Sequence, residues 1–373
     1  MPTALEHLES SRVRVAVVYG GRSGEHEVSV ASARSVMKHI DRRRYEVIPV
    51  GISRTGAWLS VDPVALLGDR VEAGDPVMPS ADPAHRGLLR LGDGQRAVAS
   101  LRSIDVVFPL THGTFGEDGC LQGLCELAGL PYVGSGVLGS AVGMDKILMK
   151  TAFKAAGLPI VEYVGVTRAD WESDPGAVSR SVEVKVGFPC FVKPANLGSS
   201  VGISKVRTSG DLPQAMAEAA GFGARLIVER AVDARELECG VLGNGRPAAS
   251  VVGEVIPHRE FYDYEAKYRD ASTEFVIPAD VPPAIADEVR SLALRAFEAT
   301  TAAGMARVDF FAGRHDGVLY VNEINTIPGF TSMSVYPRLW EASGLSYSEL
   351  IDRLIELAIE RHADQDRNLI SYV

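Results

Sequence analysis

Residues 305–325 contain two short apolar stretches on either side of a glycine-containing turn, and they limit the possible folds more than any other segment. The stretches ARVDFF and VLYVNEIN have the β-branched and aromatic content of strands, and the turn GRHDG between them predicts a β-hairpin. With the turn centred near position 316, Asp309 lies opposite Glu323 and Arg307 lies opposite Asn325. Because side chains alternate along a strand, these four side chains share one face of the hairpin.

This face places two carboxylates opposite each other, with their Cβ atoms about 5 Å apart. Carboxylates at that distance repel each other unless a cation lies between them. Asp309, Glu323 and Asn325 offer only oxygen donors, which favours Mg²⁺ held by a few carboxylates together with substrate phosphates. The alternative is an exposed hairpin with solvated charges, but the strongly apolar neighbouring positions favour the metal site.

Strands and helices alternate in the first third of the chain. The run VRVAVVYGG is typical of a buried parallel strand, and it is followed by a predicted helix over residues 26–41, the strands YEVIPVGI and IDVVFPLTHG, and the helix GCLQGLCELAGL. This alternation predicts an α/β domain with a Rossmann-like parallel sheet over residues 1–138. Residues 62–95 are rich in Pro, Gly and Asp, and we interpret them as a long surface excursion and not as a domain.

The rest of the chain has shorter strands and predicts two α+β units. The first, residues 139–234, has a predicted helix over 139–157 and then the strands CFVKPA, GISKV and RLIVERAV around a Gly/Ser loop. The second, residues 235–373, has the strands ELECGVL and AASVVGEVI, the aromatic segment FYDYEAKYRD, a helix over 283–303, the hairpin and two further helices.

The charge of the chain argues against some classes of partner. Its 48 acidic and 38 basic residues give a net charge of −10, whereas nucleic-acid and membrane-surface binding normally need a basic face. The N-terminal segment carries Glu6 and Glu9 where a signal peptide would be basic, and its apolar run is far shorter than the ~20 residues of a membrane span. We therefore expect a cytoplasmic protein whose four cysteines are free thiols.

A magnesium site of this kind usually accompanies a nucleotide, so a phosphate-binding loop is expected elsewhere. The segment GSSVGISK lacks the order of a Walker A loop, and GGRSGE is not a GxGxxG motif. The segment CFVKPANLGSSVGISKV instead places a Gly/Ser loop after Lys193, where backbone N–H groups, hydroxyls and one ammonium can bind phosphates. Taken alone, the segment is equally compatible with an ordinary hairpin loop.

Seven motifs in the same order resemble the ATP-grasp superfamily and, within it, the D-alanine–D-alanine ligases. They span nearly the whole chain: GGRSGEHEVS (20–29), THGTFGEDG (111–119), GSAVGMDK (139–146), FVKPANLGSSVG (191–202), FYDYEAKY (261–268), ARVDFF (306–311) and NEINTIPGFT (322–331). The resemblance implies a three-domain ATP-grasp fold and a homodimer. It also implies that ATP phosphorylates the carboxylate of one D-alanine, after which the amine of a second D-alanine attacks the acyl phosphate to form a peptidoglycan precursor.

The resemblance assigns residues to ATP and to metal ions. Asp309, Glu323 and Asn325 would hold two Mg²⁺ or Mn²⁺ ions, with Glu323 shared between them. The residues implied for ATP binding are Lys146, Lys193, Ser199, Ser200, Glu229, Arg230, Ala231, Val232, Glu236, Lys267, Asn322 and Glu323. Residues 229–232 correspond to the adenine-binding connector and Glu236 to the ribose-binding carboxylate.

The resemblance also assigns residues to the two amino-acid substrates. Glu25 would bind the ammonium of the first D-alanine, although its position alone is typical of an acidic residue in a first helical turn. The residues implied for substrate binding are Glu25, His112, Tyr268, Arg307, Ser334 and Val335, and those implied for catalysis are Glu25, Ser199, Tyr268, Arg307 and Gly329. Arg307 and the Gly329 amide would stabilise the developing oxyanion, while Ser334 and the Val335 amide would bind the second carboxylate. His112 follows a predicted strand, where ligands gather in α/β sheets, although a structural histidine is the alternative.

The segment FYDYEAKYRD mixes four aromatic residues with charges, which favours a lid that excludes water from a hydrolysable acyl phosphate. Within the resemblance, Tyr268 favours an amine nucleophile over D-lactate. The alternatives are a D-alanine–D-lactate ligase, another carboxylate–amine ligase of the superfamily, or a binding regulator without chemistry. The intact set of Asp309, Glu323 and Asn325 argues against the regulator.

Overall fold

The computed structural model describes residues 12–61, 71, 73–91, 98–199, 201–256, 274–315 and 317–369. These residues form three sheets of seven, four and five strands. Within the described ranges, no helix combines the length and the apolar character that crossing a lipid bilayer would require. The boundaries predicted between the three domains, after residues 138 and 234, stay predictions.

The seven-stranded sheet contains the first strands of the chain, and its order is β6-β5-β4-β3-β2-β1-β7. Its elements and the adjoining helices are β1 (Val13–Gly20), α1 (His26–His39), β2 (Tyr45–Ile52), β3 (Trp58–Ser60), β4 (Asp75–Pro79), β5 (Gly87–Leu91), β6 (Val98–Ser103), β7 (Val106–Pro109) and α2 (Cys120–Leu127). The strand β1 pairs in parallel with both β2 and β7, as the buried β-branched run predicts. The carboxyl ends of these strands therefore meet at one edge, where ligands gather in α/β sheets.

The interpretation of residues 62–95 as a surface excursion was wrong for part of the segment. The strands β4 and β5 lie within it and extend the same sheet by antiparallel pairing. These two strands are difficult to recognise in the sequence because they contain Pro and Gly. Both residue types are depleted in the interior strands of a sheet and tolerated nearer its edge.

The four-stranded sheet has the order β10-β9-β11-β8, and its strand pairs are all antiparallel. The elements of this region are α3 (Val137–Met144), α4 (Lys146–Ala155), β8 (Tyr163–Thr167), α5 (Arg168–Ser173), α6 (Pro175–Lys185), β9 (Cys190–Pro194), β10 (Ser204–Val206), α7 (Leu212–Phe222) and β11 (Arg225–Arg230). The single helix predicted over 139–157 is two helices, because Asp145 has an extended backbone and its side chain accepts the N–H groups of Ile147 and Leu148. This N-cap starts α4 at Lys146.

The five-stranded antiparallel sheet has the order β14-β13-β12-β15-β16. The elements of this region are β12 (Ala234–Gly243), β13 (Ala248–Ile256), β14 (Glu274–Val276), α8 (Pro283–Ala299), β15 (Gly304–Gly313), β16 (Leu319–Asn325), α9 (Val335–Ala342) and α10 (Tyr347–Gln365). The last helix, α10, returns to the start of the chain, where Leu350 and Leu354 share a buried core with Val15 and Val17 of β1.

The hairpin register predicted from the sequence is confirmed. Asp309 lies opposite Glu323 and Arg307 lies opposite Asn325. A bulge between Asp309 and Phe310 shifts the pairing by one residue, so that Phe310 lies opposite Val321 nearer the turn. A one-residue slip normally moves side chains to the other face, so this bulge sets which side chains share the face of Asp309.

Candidate active site

Two adjoining cavities lie between the three sheets. The small cavity, about 180 Å³, is lined by loops that follow β1 and β7, by the Gly/Ser loop and by the segment before α9. The large cavity, about 500 Å³, lies between the four-stranded and five-stranded sheets. Lys146, Ser199, Arg307 and Glu323 line both cavities, so the two share one wall.

Glu25 enters the small cavity at the start of α1, where it is the N-cap residue but makes no side-chain cap bond. Its carboxylate accepts a hydrogen bond from the Ser199 hydroxyl of the Gly/Ser loop. Two glycines approach the same carboxylate: a Cβ at Gly113 would lie 2.9 Å from its Oε2 and one at Gly198 would lie 3.2 Å away. Side chains at these two positions would crowd Glu25.

His112 is buried against the small cavity, three residues beyond β7. Its Nδ1 lies 3.1 Å from the carbonyl oxygen of Ile327 and 3.9 Å from the carboxylate of Glu117, and its Nε2 lies 3.3 Å from the Ser32 hydroxyl. Burial alone would lower the pKa of His112, but the nearby carboxylates of Glu117 and Glu25 outweigh it and raise the pKa. The imidazole therefore carries a positive charge over a wider pH range than a solvated histidine.

The start of α9 also lines the small cavity. Ser334 is the N-cap residue and Val335 is the first helical residue. The first N–H groups of a helix have no intrahelical partner and favour anions. Gly329 packs against this turn, because a Cβ there would lie 2.8 Å from the Ser334 hydroxyl oxygen.

The large cavity collects the ATP-binding residues that the sequence predicts. Those within the described residues all line it: Lys146, Lys193, Ser199, Glu229, Arg230, Ala231, Val232, Glu236, Asn322 and Glu323. Lys146 reaches the Gly/Ser loop, where its ammonium donates to the carbonyl oxygen of Leu197 at 2.8 Å. Arg230 at the end of β11 pairs with Glu162 at 2.8 Å.

A buried group of two lysines and one glutamate, here called the lysine cluster, lies on one side of the large cavity. Glu229 lies between Lys150 and Lys193, with its Oε1 2.8 Å from the Lys150 ammonium and its Oε2 2.5 Å from the Lys193 ammonium. Burial alone would raise the pKa of Glu229, but the two lysines outweigh it and lower the pKa to about 2. The cluster carries one net positive charge.

Three acidic residues on neighbouring strands, here called the carboxylate row, form the opposite side. Glu238 of β12 lies beside Asp309 of β15, and Asp309 lies beside Glu323 of β16. Arg307 donates two hydrogen bonds of 2.7 Å to Asp309, and its Nε lies 3.2 Å from Glu238. Burial alone would lower the pKa of Arg307, but Asp309 and Glu238 raise it well above its usual value. Lys146 lies 3.8 Å from Glu323.

The predicted metal ligands fit a hard divalent cation. Asp309 and Glu323 face each other across the hairpin and Asn325 lies two residues beyond Glu323 on the same face, so the donors are two carboxylates and one amide oxygen. Asp309 accepts two hydrogen bonds from Arg307, and a carboxylate has about four lone-pair sites. Within the described ranges, no three His, Cys, Asp or Glu side chains are arranged to hold a metal ion by themselves.

Three predicted residues lie outside the described residues, namely Ser200, Lys267 and Tyr268. The remaining substrate-binding and catalytic predictions all line the small cavity: Glu25, His112, Ser199, Arg307, Gly329, Ser334 and Val335. Three further residues of the site were missed by the sequence reasoning, namely Glu117, Lys150 and Glu238. Lys150 follows Lys146 by four residues, which places both on one face of a helix. Glu238 follows Glu236 by two residues, which places both on one face of a strand.

Comparison with known proteins identifies the family. The model described as "D-ala D-ala ligase N-terminus" matches residues 14–135, and that described as "D-ala D-ala ligase C-terminus" matches residues 152–356. The chain belongs to the D-alanine–D-alanine ligase family. A D-alanine–D-alanine ligase of Geobacillus thermodenitrificans is 48% identical over 370 residues, which cover 97% of this chain and 99% of the relative.

Solved structures of the family share the fold. The D-alanine–D-alanine ligase of Coxiella burnetii superimposes with a TM-score of 0.81 at 38% identity and covers 96% of this chain and 97% of that one. The VanG D-Ala:D-Ser ligase of Enterococcus faecalis superimposes with a TM-score of 0.83 at 33% identity and covers 93% of this chain and 100% of that one. The predicted ATP-grasp fold class is confirmed. Because one of these relatives is a D-Ala:D-Ser ligase, the fold alone does not set the second substrate of a family member.

Proposed function

We propose that this chain is an ATP-dependent ligase that joins two D-alanines into D-alanyl-D-alanine for peptidoglycan synthesis. ATP transfers its γ-phosphoryl group to the carboxylate of the first D-alanine, which gives an acyl phosphate and ADP. The amine of the second D-alanine attacks the acyl carbon, loses a proton, and expels inorganic phosphate from the tetrahedral intermediate. The net products are the dipeptide, ADP and phosphate.

The observation that carries this proposal is the wall shared by the two cavities. Lys146, Ser199, Arg307 and Glu323 line both of them, so a nucleotide in the large cavity would direct its terminal phosphate toward the small one. Phosphoryl transfer needs its reactants held in line with little covalent help from the protein. Two cavities that meet at charged and hydroxyl side chains suit that requirement.

Each side chain then has a role that its surroundings support. Glu25, held by Ser199, would bind the ammonium of the first D-alanine, and His112 would add positive charge near that substrate. Arg307 and the Gly329 amide would stabilise the oxyanion, and a preorganised donor of this kind typically contributes ~10²–10³ in rate.

The remaining roles concern the second substrate and ATP. Ser334 and the N-terminal amide of Val335 would bind the second carboxylate. Lys146 and Lys193 would hold the ATP phosphates, and the connector of residues 229–232 would hold the adenine.

We further propose that the enzyme uses divalent metal ions and acts as a cytoplasmic homodimer. Asp309, Glu323 and Asn325 would hold two Mg²⁺ or Mn²⁺ ions, which neutralise charge on the transferred phosphoryl group. The chain would work as a homodimer in the cytoplasm, where ATP is supplied. Sedimentation at micromolar concentration measures the dimer, and a monomeric species there would count against it.

One coupled assay tests the proposed reaction. Phosphate release from ATP is measured near neutral pH with D-alanine alone, and with D-alanine plus D-lactate, D-serine or L-alanine, while the products are identified by mass spectrometry. We expect D-alanyl-D-alanine as the main product. A main product with a D-lactate or D-serine second residue would replace the proposed specificity, and no D-alanine-dependent phosphate release would overturn the proposed reaction.

A further inference from the structure

Lys150 is the one member of the lysine cluster to which the proposed reaction gives no role. It lies on α4, one turn beyond Lys146, and only 1% of its surface is exposed. Lysine is almost never buried to this extent unless a partner compensates its charge. Its ammonium lies 2.8 Å from Glu229 and donates to the carbonyl oxygen of Asn322 at 3.1 Å. It therefore joins the adenine connector to the strand of the metal ligands.

Glu229 divides its two oxygens between two lysines. Its Oε1 faces Lys150 and its Oε2 faces Lys193, and each lysine is an independent source of compensating charge. With Lys150 present, the cluster has one positive charge in excess. Without Lys150, the same carboxylate would be balanced by Lys193 alone, and the pair would be neutral.

We propose that Lys150 is a positioning residue that keeps the charge of Lys193 available to the ATP phosphates. By compensating Glu229 from the buried side, it leaves the charge of the Lys193 ammonium, which lines the large cavity together with Glu236 and Glu323, less neutralised by Glu229. Lys150 does not itself line that cavity, so it acts through Lys193 and not by contact with the nucleotide. This inference rests on the proposed ATP site.

The helix that carries Lys150 is well placed to hold it there. Asp145 caps the start of α4 and also pairs with Arg225 of β11, at 2.8 Å and 3.2 Å. Met149, the preceding residue, accepts a hydrogen bond from the N–H of Ile324 in β16. The helix is thus fixed to both strands that Lys150 joins.

The test uses the full-length enzyme with Lys150→Met, which removes the ammonium and keeps most of the apolar side chain. We expect the KM for ATP to rise about tenfold, the size expected when the charge-assisted interaction between Lys193 and the ATP phosphates is weakened. The KM for D-alanine should change little. The matched control is Lys154→Met, one turn further along α4, where the lysine is exposed.

A double-variant cycle separates the charge effect from a merely structural one. If Glu229 is made neutral by Glu229→Gln, Lys193 keeps its charge with or without Lys150. Adding Lys150→Met to that variant should then change the KM for ATP by less than about twofold. A structural role predicts instead the same rise in both backgrounds, together with a fall in kcat, and this result would overturn the inference.

Two further arms complete the design. Lys150→Met should weaken ATP binding in titrations but not adenosine binding, since adenosine has no phosphates; an equal loss for both would contradict the inference. Lys193→Met separates the two proposals, because an unchanged KM for ATP in that variant would refute the proposed ATP site itself. If Lys150→Met does not fold, Lys150→Gln replaces it, and failure of both to fold would show that Lys150 serves stability alone.

Discussion

The two sides of the large cavity carry opposite excesses of charge. On one side, Glu229 is compensated by two lysines, which leaves one positive charge. On the other side, Arg307 contacts Glu238 and Asp309, and Lys146 lies 3.8 Å from Glu323, so the three acids outnumber these two bases by one. The lysine cluster joins helix α4 to β9 and β11, the carboxylate row lies on β12, β15 and β16, and the two groups differ in the sign of their charge balance.

This difference fits a ligand that is anionic at one point and associated with cations at another. A triphosphate needs ammonium groups around its oxygens, and its metal ions need carboxylates that are not already neutralised. If Glu229 lacked its second lysine, the lysine cluster would be close to neutral. If the carboxylate row had a second arginine, that row would be close to neutral instead. The number of basic residues beside each group of acids therefore sets the sign of the charge on each side of the cavity.

The largest expected effect comes from the acidic side. Glu323→Gln removes a charge at nearly constant size, and we expect turnover to fall by at least about 10²–10³-fold, as for other groups that stabilise transition-state charge. Binding of Mn²⁺ in the presence of ADP, measured by electron paramagnetic resonance, should weaken in parallel. Circular dichroism should remain that of the folded protein.

The control for this variant is Glu341→Gln, an exposed residue of α9 away from the cavity. It removes the same charge from the molecule and should leave turnover within about twofold, as for distant and independent sites. Near-normal turnover of the Glu323 variant at ordinary Mg²⁺ concentration would refute the metal assignment.

We expect the free energy of unfolding to depend on pH through Glu229 of the lysine cluster. The pKa of Glu229 is about 2 in the folded protein, below its ordinary value of 4.5. A lowered folded-state pKa contributes stability above the unfolded-state pKa, and that contribution is lost as the pH falls toward the folded-state value. The stabilisation, on the order of 3 kcal/mol, is thus present at pH 6 and declines progressively below about pH 4.5.

The measurement is the free energy of unfolding by urea between pH 6 and pH 3, compared between the wild type and Glu229→Gln. The variant should be the less stable at pH 6, because two buried lysines lose their counter-charge. The difference should shrink as the pH falls, since protonated Glu229 resembles glutamine in charge. A difference that stays constant over this range would contradict the assigned ion pairs.

The carboxylate row was more predictable from the sequence than the lysine cluster. A hairpin has a side-chain period of two and a short turn, so the pairing of Asp309 with Glu323 follows from local pattern. The resemblance to a known family supplied the other predicted residues. Even so, the bulge after Asp309 was not visible in the sequence, because a bulge depends on the partner strand.

The spacing of Lys150 and Glu238 gives only a weak signal in the sequence, because their roles depend on partners distant in the chain. Lys150 looks like a solvated lysine on an amphipathic helix, and only the contact with Glu229, far along the chain, explains its burial. Glu238 likewise becomes part of the site through pairing of β12 with β15. The strands β4 and β5 were missed for a different reason, since Pro and Gly suggested a loop.

The smallest expected effect concerns α4, the helix that carries Lys150 of the lysine cluster. Asp145→Ala removes the N-cap of α4 and the ion pair with Arg225, and we expect the free energy of unfolding to fall by about 1–2 kcal/mol. Asp145→Ser keeps a capping hydroxyl and loses only the exposed ion pair, so its cost should stay below about 1 kcal/mol. Urea titration of the two variants compares these values.

Asp145→Ala also tests whether the two sides of the cavity are independent. The helix α4 carries Lys146 and Lys150 but none of the carboxylate row, so fraying of its first turn should raise the KM for ATP and leave Mn²⁺ affinity in the absence of nucleotide unchanged. Equal losses of ATP and Mn²⁺ binding would mean that the sides are coupled through Lys146 and Glu323, which lie 3.8 Å apart. In that case the positive and negative excesses would belong to one network, and variants of Glu323 and Lys150 would no longer have separable effects.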